Sequence, residues 1–138
     1  MHGLHLTADL HDCHGAAHWF TDAEALGALC TKTVEAAGLQ AVGKLFHAFA
    51  PAPGTDAGGV TATVLLAESH LCIHTWPEQR GATIDVYVCN FGADHSAKAR
   101  AVMDALEAVF MPGRVERHAL QRGSIDGAID VGNIGSAG

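Results

Sequence analysis

The fold class is most clearly indicated by VTATVLLAESHLCIHTWPEQRGATIDVYVC, residues 60–89. It contains three strand-like runs, and the first, VTATVLL, is rich in β-branched residues that favour a central strand. The second and third runs, HLCIHTW and ATIDVYVC, are separated by PEQRG, whose proline and glycine are typical of a turn. The succession predicts neighbouring strands of a mainly antiparallel sheet.

The flanking sequence adds strands and two helices to this centre. Residues 3–10 alternate apolar and polar side chains, as a half-buried strand does, and residues 40–49 and 115–123 also resemble strands. A first helix is predicted over about 22–37, capped by Thr21 or Asp22 and ended by Gly38. A second is predicted over about 94–110. Their apolar positions are Leu26, Leu29, Cys30 and Val34 in the first, and Ala101, Val102, Leu106 and Val109 in the second.

The order β-α-β-β-β-β-α-β predicts the fold class α+β. We expect a two-layer α/β sandwich, with a mainly antiparallel sheet and both helices on one face. The last strand, 115–123, is expected at an edge of the sheet. Residues 1–122 are predicted to form one domain, and the glycine-rich residues 123–138 a flexible tail.

Composition limits the class of partner. The chain has 138 residues with 15 acidic against 8 basic side chains, a formal charge of -7, which disfavours a nucleic-acid surface and mildly favours cationic small molecules. No apolar run is long enough to cross a bilayer, so we expect no membrane partner. The four cysteines form no CxxC pair, which favours a reducing cytoplasm.

Residues 68–78, ESHLCIHTWPE, carry the densest chemistry in the chain. A candidate nucleophile, two histidines, a thiol and two carboxylates interrupt an otherwise apolar strand. Because alternate strand residues share a face, His70, Cys72 and His74 should align, with Ser69, Leu71 and Ile73 facing the other way. A turn at Ser69 would break that count.

This motif closely resembles the ESHLTIHTWPE motif of bacterial and archaeal S-adenosylmethionine decarboxylase proenzymes. The resemblance extends to ATIDVYVCN, to GLHLTADLHDC near the start and to FHAF at 46–49, and it covers about residues 3–110. It implies a self-processing enzyme that makes its own cofactor, a covalent pyruvoyl group, from Ser69.

The implied processing is a cut between Glu68 and Ser69. The Ser69 hydroxyl would attack the carbonyl carbon of Glu68, and elimination from the resulting ester would leave the pyruvoyl group on residues 69–138. His74 matches the processing histidine of the family, and Thr61 matches a serine that assists processing. The pyruvoyl ketone then forms a Schiff base with the substrate amine, and Cys89 matches the catalytic proton donor.

The resemblance also implies a substrate and a partner. Phe49 matches an aromatic residue that stacks on adenine, and Glu78 a carboxylate that binds ribose hydroxyls. The expected reaction is decarboxylation of S-adenosylmethionine for spermidine biosynthesis, in a homodimer of processed protomers with active sites near the interface. Some members of the family act on arginine or ornithine instead. Leu4, Ala48 and a longer 50–59 loop depart from the usual pattern and leave that alternative open.

Other readings of these residues are of a different class. His70, Cys72 and His74 could form a metal-binding or regulatory module without catalysis. The HDCH segment at 11–14 also suggests a metal site, but it lacks a fourth ligand. Outside the family, His74 would more often be a core histidine and Cys89 an inert buried thiol. We favour the enzyme and expect no metal.

Overall fold

The computed structural model describes residues 1–123. Six strands and three α-helices follow the chain as β1 (His2–His11), α1 (His18–Thr21), α2 (Ala23–Ala36), β2 (Ala41–Ala48), β3 (Val60–Leu66), β4 (Ser69–Trp76), β5 (Gly81–Cys89), α3 (Ser96–Phe110) and β6 (Arg114–Gly123). A 3₁₀ turn at Pro77–Gln79 joins β4 to β5.

The strands form one sheet in the order β2-β3-β4-β5-β1-β6, and each neighbouring pair is antiparallel. The predicted α+β sandwich is therefore confirmed, with the last strand at an edge. Strand β6 includes Gly123, and the tail predicted from that residue onward otherwise lies outside the described residues.

One face of the sheet carries the hydrophobic core. Alternate residues of the four central strands are buried against α2 and α3, and they include Leu4, Leu6, Leu10, Val60, Val64, Leu71, Ile73, Ile84, Val86 and Val88. Both predicted helices lie on this face, as expected. None of the helices in the described part of the chain has the length and apolar content needed to span a bilayer.

Helix α2 agrees closely with its prediction. The Asp22 side chain accepts a 3.0 Å hydrogen bond from the Ala25 amide and so caps the helix, and Gly38 follows its end with a φ of +88°. Such a left-handed conformation favours glycine, because a Cβ is strained there. Cap and terminator therefore act as the sequence indicated.

The apolar side of α3 was predicted partly wrongly. The helix buries Ala99, Val102, Met103, Leu106 and Phe110, whereas Ala101 is exposed and Val109 only half-buried. Its start is also two residues later than expected, because the Asn90 side chain accepts the His95 amide and the Asp94 side chain accepts the Ser96 amide. These bonds keep residues 90–95 in a loop.

The other face of the sheet, called here the open face, has no helix packed on it within residues 1–123. It carries the alternate set of strand residues, which are half-buried polar groups: His5, Thr61, Thr63, His70, Cys72, His74, Asp85, Tyr87 and Cys89. The predicted alignment of His70, Cys72 and His74 is confirmed, with Leu71 and Ile73 in the core. These polar side chains thus share a face of the sheet that no described helix covers.

Candidate active site

The predicted cleavage site lies in the tightest turn of the sheet. Leu66 at the end of β3 pairs with Ser69 at the start of β4, so only Ala67 and Glu68 connect the two strands. Glu68 has a φ of +56°, a left-handed conformation that costs a non-glycine residue roughly 1–2 kcal/mol. Glu68, whose carbonyl carbon is the predicted target of Ser69, is therefore held in a strained backbone conformation.

Ser69 and Cys89 are direct neighbours. The Cys89 amide donates a 3.0 Å hydrogen bond to the Ser69 hydroxyl oxygen, and both residues are half-buried. Because the oxygen accepts this bond, its own proton remains available for transfer to a base. We refer to these two residues as the Ser69–Cys89 cluster.

Thr61 and His74 form a second cluster. They face each other across β3 and β4, and the Thr61 hydroxyl lies 2.8 Å from Nδ1 of the His74 ring. The other ring nitrogen, Nε2, lies 3.4 Å from the Cys72 sulfur. The predicted pair of processing residues is therefore in direct contact, and we call it the Thr61–His74 cluster.

The two clusters are not in contact within one chain. Ser69 begins β4 and His74 lies five residues further along the same strand, a separation of roughly 16 Å at the usual rise of a β-strand. The fold therefore divides the predicted processing residues between two places on the sheet.

Phe49 and Glu78 lie with the Thr61–His74 cluster. All four residues line one cleft of about 330 Å³. Phe49 is 53% exposed and presents its ring beside that of His47, with centroids 4.6 Å apart. A flat aromatic ring and a carboxylate on one cleft suit a ligand that combines a planar base with hydroxyl groups.

A cluster that the sequence analysis did not single out lies between β4, β5 and β1. His70 and His5 flank Tyr87 from the two neighbouring strands, and His5 Nε2 lies 3.3 Å from an Asp85 oxygen. Burial lowers the pKa of His70 below its ordinary value, as do the nearby His5 and Arg122, whereas Asp85 opposes the shift. Because alternate residues of a strand share a face, counting back from Cys89 in steps of two would have placed Tyr87 and Asp85 on the open face.

The four cysteines separate into two classes. Cys13 and Cys30 are buried, and burial raises the pKa of the Cys30 thiol to about 12. Cys72 and Cys89 are half-buried on the open face, and all four are free thiols. Of the four, therefore, Cys72 and Cys89 are the thiols that lie beside the candidate site residues.

This arrangement gives little support to the two metal-binding hypotheses. Across residues 1–123, no three histidine, cysteine or acidic side chains gather as a metal site requires. Cys72 and His74 touch, but the ring of His70 faces His5 and Tyr87 instead. In the HDCH segment, Cys13 is fully buried.

Comparison with known proteins gives a consistent result. Residues 4–123 match the family model described as S-adenosylmethionine decarboxylase. The chain is 35% identical over 124 residues to the S-adenosylmethionine decarboxylase proenzyme of Aquifex aeolicus, covering 90% of this chain and 83% of that protein. It is 37% identical to the proenzyme of Persephonella marina, covering 89% and 84%.

A solved structure shares the architecture as well. The crystal structure of the adenosylmethionine decarboxylase from Aquifex aeolicus superposes with a TM-score of 0.77 at 33% sequence identity. The match covers 93% of this chain and 96% of that one. Sequence and fold therefore point to the same group of proteins over nearly the whole described chain.

Proposed function

The chain belongs to the S-adenosylmethionine decarboxylase family, and we propose that it matures by cutting itself between Glu68 and Ser69 and then decarboxylates S-adenosylmethionine. The observation that carries this proposal is the position of Ser69. It directly follows the strained residue Glu68, and its hydroxyl oxygen accepts a hydrogen bond from the Cys89 amide. The proposed nucleophile thus adjoins the proposed scissile bond and contacts the backbone of the proposed proton donor.

Self-cleavage begins with the Ser69 oxygen. It bonds to the carbonyl carbon of Glu68, the peptide C–N bond breaks, and the amine takes up the hydroxyl proton, which gives an ester. Removal of the Ser69 Cα proton then breaks the Cβ–O bond and releases Glu68 as a carboxylate. Tautomerisation and hydrolysis of the remaining dehydroalanine release ammonia and leave a pyruvoyl group at the start of residues 69–138. Strain at Glu68 favours the first step because the backbone relaxes as the bond breaks.

The residues around Ser69 fit a pyruvoyl group at this position. Such a group supplies a ketone that takes the substrate amine and accepts the electrons released with carbon dioxide. Cys89, whose amide already contacts Ser69, is the proton donor that we propose for the substrate carbon after decarboxylation. Its free, half-buried thiol supports this role.

A homodimer would complete the site. His74 and Thr61 are too far from Ser69 in the same chain to act on it, so we propose that a second copy supplies them. The open face supports such an assembly, because it is uncovered by the helices and also carries Leu45 and Leu65, which are 73% and 51% exposed. Two open faces in contact would bury these leucines.

The same assembly accounts for the substrate. Phe49 and Glu78 would approach the Ser69–Cys89 cluster together with His74, since they share its cleft. We propose that Phe49 stacks on the adenine and that Glu78 accepts hydrogen bonds from the ribose hydroxyls. Arginine and ornithine, the alternative substrates, have no ring or ribose for these residues to hold. The product would serve spermidine biosynthesis, and the free thiols support a reducing cytoplasm as the compartment.

One assay tests the substrate proposal. Carbon dioxide release is measured from S-adenosylmethionine, arginine and ornithine with the wild-type chain and with Phe49→Ala, Phe49→Tyr and Glu78→Gln. We expect release from S-adenosylmethionine alone, a KM raised roughly tenfold or more in Phe49→Ala by loss of stacking of about 1–3 kcal/mol, and near wild-type values in Phe49→Tyr. Release from arginine or ornithine that is indifferent to Phe49 would support the alternative.

A further inference from the structure

His74 has both ring nitrogens engaged within its own chain. The Thr61 hydroxyl lies 2.8 Å from Nδ1 and the Cys72 sulfur lies 3.4 Å from Nε2. A neutral imidazole has one donor and one acceptor nitrogen, and Thr61 and Cys72 can each either donate or accept. Thr61 and Cys72 together therefore fix the ring in position and influence which tautomer it adopts.

Cys72 also contacts a residue on the neighbouring strand. It faces Thr63 across β3 and β4, and the Thr63 hydroxyl lies 3.3 Å from its sulfur. Thr63, Cys72, His74 and Thr61 thus form a continuous line of polar side chains on the open face. We call this the Thr63–Thr61 line. Because the Cys72 sulfur contacts side chains on two strands, the sheet fixes its position and the side chain does not rotate freely.

The two contacts to His74 differ in strength. An O···N distance of 2.8 Å is typical of a good hydrogen bond, whereas a thiol is a weak donor and a weak acceptor. Nε2 is therefore the ring nitrogen that can exchange its partner at the smaller cost.

We propose that Cys72 is a positioning residue for self-cleavage, whose thiol holds Nε2 of His74 in place and yields it to the reacting groups at Ser69 of a second copy. This inference rests on the proposed function, because it assumes that His74 serves the cut. It adds the identity of the reactive nitrogen and the residue that presents it. The related family motif, ESHLTIHTWPE, has threonine where this chain has Cys72, so a hydroxyl would provide a similar contact.

The first test compares variants at Cys72 with a matched control. Thr83 is the neighbour of His74 on the opposite strand, β5, and its side chain makes no hydrogen bond within the described residues, so Thr83→Ala is the control. Newly purified chains are followed by mass spectrometry as they cleave. We expect Cys72→Ala to slow cleavage roughly fivefold, the rate equivalent of one hydrogen bond of about 1 kcal/mol. Cys72→Thr should stay within about twofold of wild type, and Thr83→Ala should match it.

The second test does not depend on cleavage. In a Ser69→Ala chain, the ¹⁵N chemical shifts of the His74 ring report which nitrogen carries the proton. Adding Cys72→Ala should change the tautomer populations, adding Thr83→Ala should not, and adding Cys72→Thr should restore a single preferred tautomer. Thermal unfolding of the same chains separates a loss of fold from a loss of contact.

The outcomes are distinct. If Cys72→Ala leaves both the cleavage rate and the His74 shifts at wild-type values, the inference about Cys72 is overturned. If Cys72→Ala and Thr83→Ala slow cleavage equally, Cys72 has no special role. If the wild-type chain never cleaves, the proposed function fails, and the ring shifts still decide whether Cys72 orients His74.

Discussion

Ser69 and His74 lie at opposite ends of strand β4, with Ser69 bonded to Cys89 and His74 bonded to Thr61. The strand between them spans roughly 16 Å, which no side chain can bridge. The proposed self-cleavage groups of one chain therefore lie apart along β4, so we propose that self-cleavage takes place between two chains.

Mixing two inactive chains should restore cleavage. Ser69→Ala lacks the proposed nucleophile and His74→Ala lacks the proposed processing histidine, so neither should cut itself efficiently alone. In a mixed dimer, Ser69 of the His74→Ala chain meets His74 of the other copy, and that chain alone should be cut. Mass spectrometry of the coexpressed chains distinguishes them.

A chain that carries both substitutions is the matched control for this experiment, because it can form the mixed dimer but offers no histidine. If the His74→Ala chain cleaves at the wild-type rate by itself, the histidine is not needed. If the mixture stays uncut although mixed dimers are present, the Ser69–Cys89 cluster of one chain and the Thr61–His74 cluster of the other do not complete each other.

Relieving the strain at Glu68 should stabilise the precursor and slow its cleavage. Its φ of +56° is unfavourable for a residue with a Cβ, so Glu68→Gly in a Ser69→Ala chain should raise the free energy of unfolding by about 1 kcal/mol. Denaturant unfolding measures that change. Glu68→Ala removes the carboxylate but keeps the Cβ, so it should not be stabilising. Equal effects of the two substitutions would show that the strain does not matter.

The strain at Glu68 is also an example of what the sequence could not predict. A turn between β3 and β4 was implied by the strand pattern, but positive φ is usually indicated by glycine or asparagine, and Ala67-Glu68 offers neither. The strand boundaries, in contrast, were predicted to within about two residues, because alternation of apolar residues such as Leu71 and Ile73 directly reflects burial on one face.

The residues proposed for the candidate site came from the sequence, whereas their arrangement came from the structure. Ser69 and His74 are close in sequence, yet an extended strand turns that short sequence separation into a long distance. The contacts between Cys89 and Ser69, or between Tyr87 and His5, join different strands. They depend on which strands are neighbours in the sheet, and the alternation of residues along a single strand does not reveal this. In α3 the error was one of phase, since alanine suits either side of a helix.

Cys89→Ala should separate the two stages of the enzyme. The Cys89 amide, which holds Ser69, is retained in the variant, so self-cleavage should still proceed. Decarboxylation should fall by roughly a hundredfold or more, because a positioned proton donor is lost. Thr83→Ala serves again as a control with both activities intact. Normal decarboxylation by a fully cleaved Cys89→Ala chain would rule out the thiol as proton donor.

Stability should fall as the pH drops through the range in which histidine takes up protons. Burial lowers the pKa of His70 in the folded chain, so below about pH 6.5, the ordinary value for histidine, the unfolded chain binds more protons and unfolding is favoured. The effect grows until the pH falls below the lowered pKa of His70. His70→Gln should remove part of this dependence.

His14, which is exposed, gives the control variant His14→Gln. Urea unfolding of uncleaved Ser69→Ala chains at pH 7.5 and pH 5 provides the measurement. Should His70→Gln and His14→Gln lose stability between these pH values to the same extent as the parent chain, His70 does not contribute to the acid sensitivity.

Intact-mass spectrometry of the freshly made wild-type chain and of Ser69→Ala decides whether Ser69 becomes a pyruvoyl group. Pyruvoyl formation from Ser69 predicts two wild-type fragments, one ending at Glu68 and one starting at position 69 with a ketone in place of the free amine, and a Ser69→Ala chain that stays whole. A wild-type chain that remains in one piece, or a Ser69→Ala chain that is cut at the same bond, would contradict it.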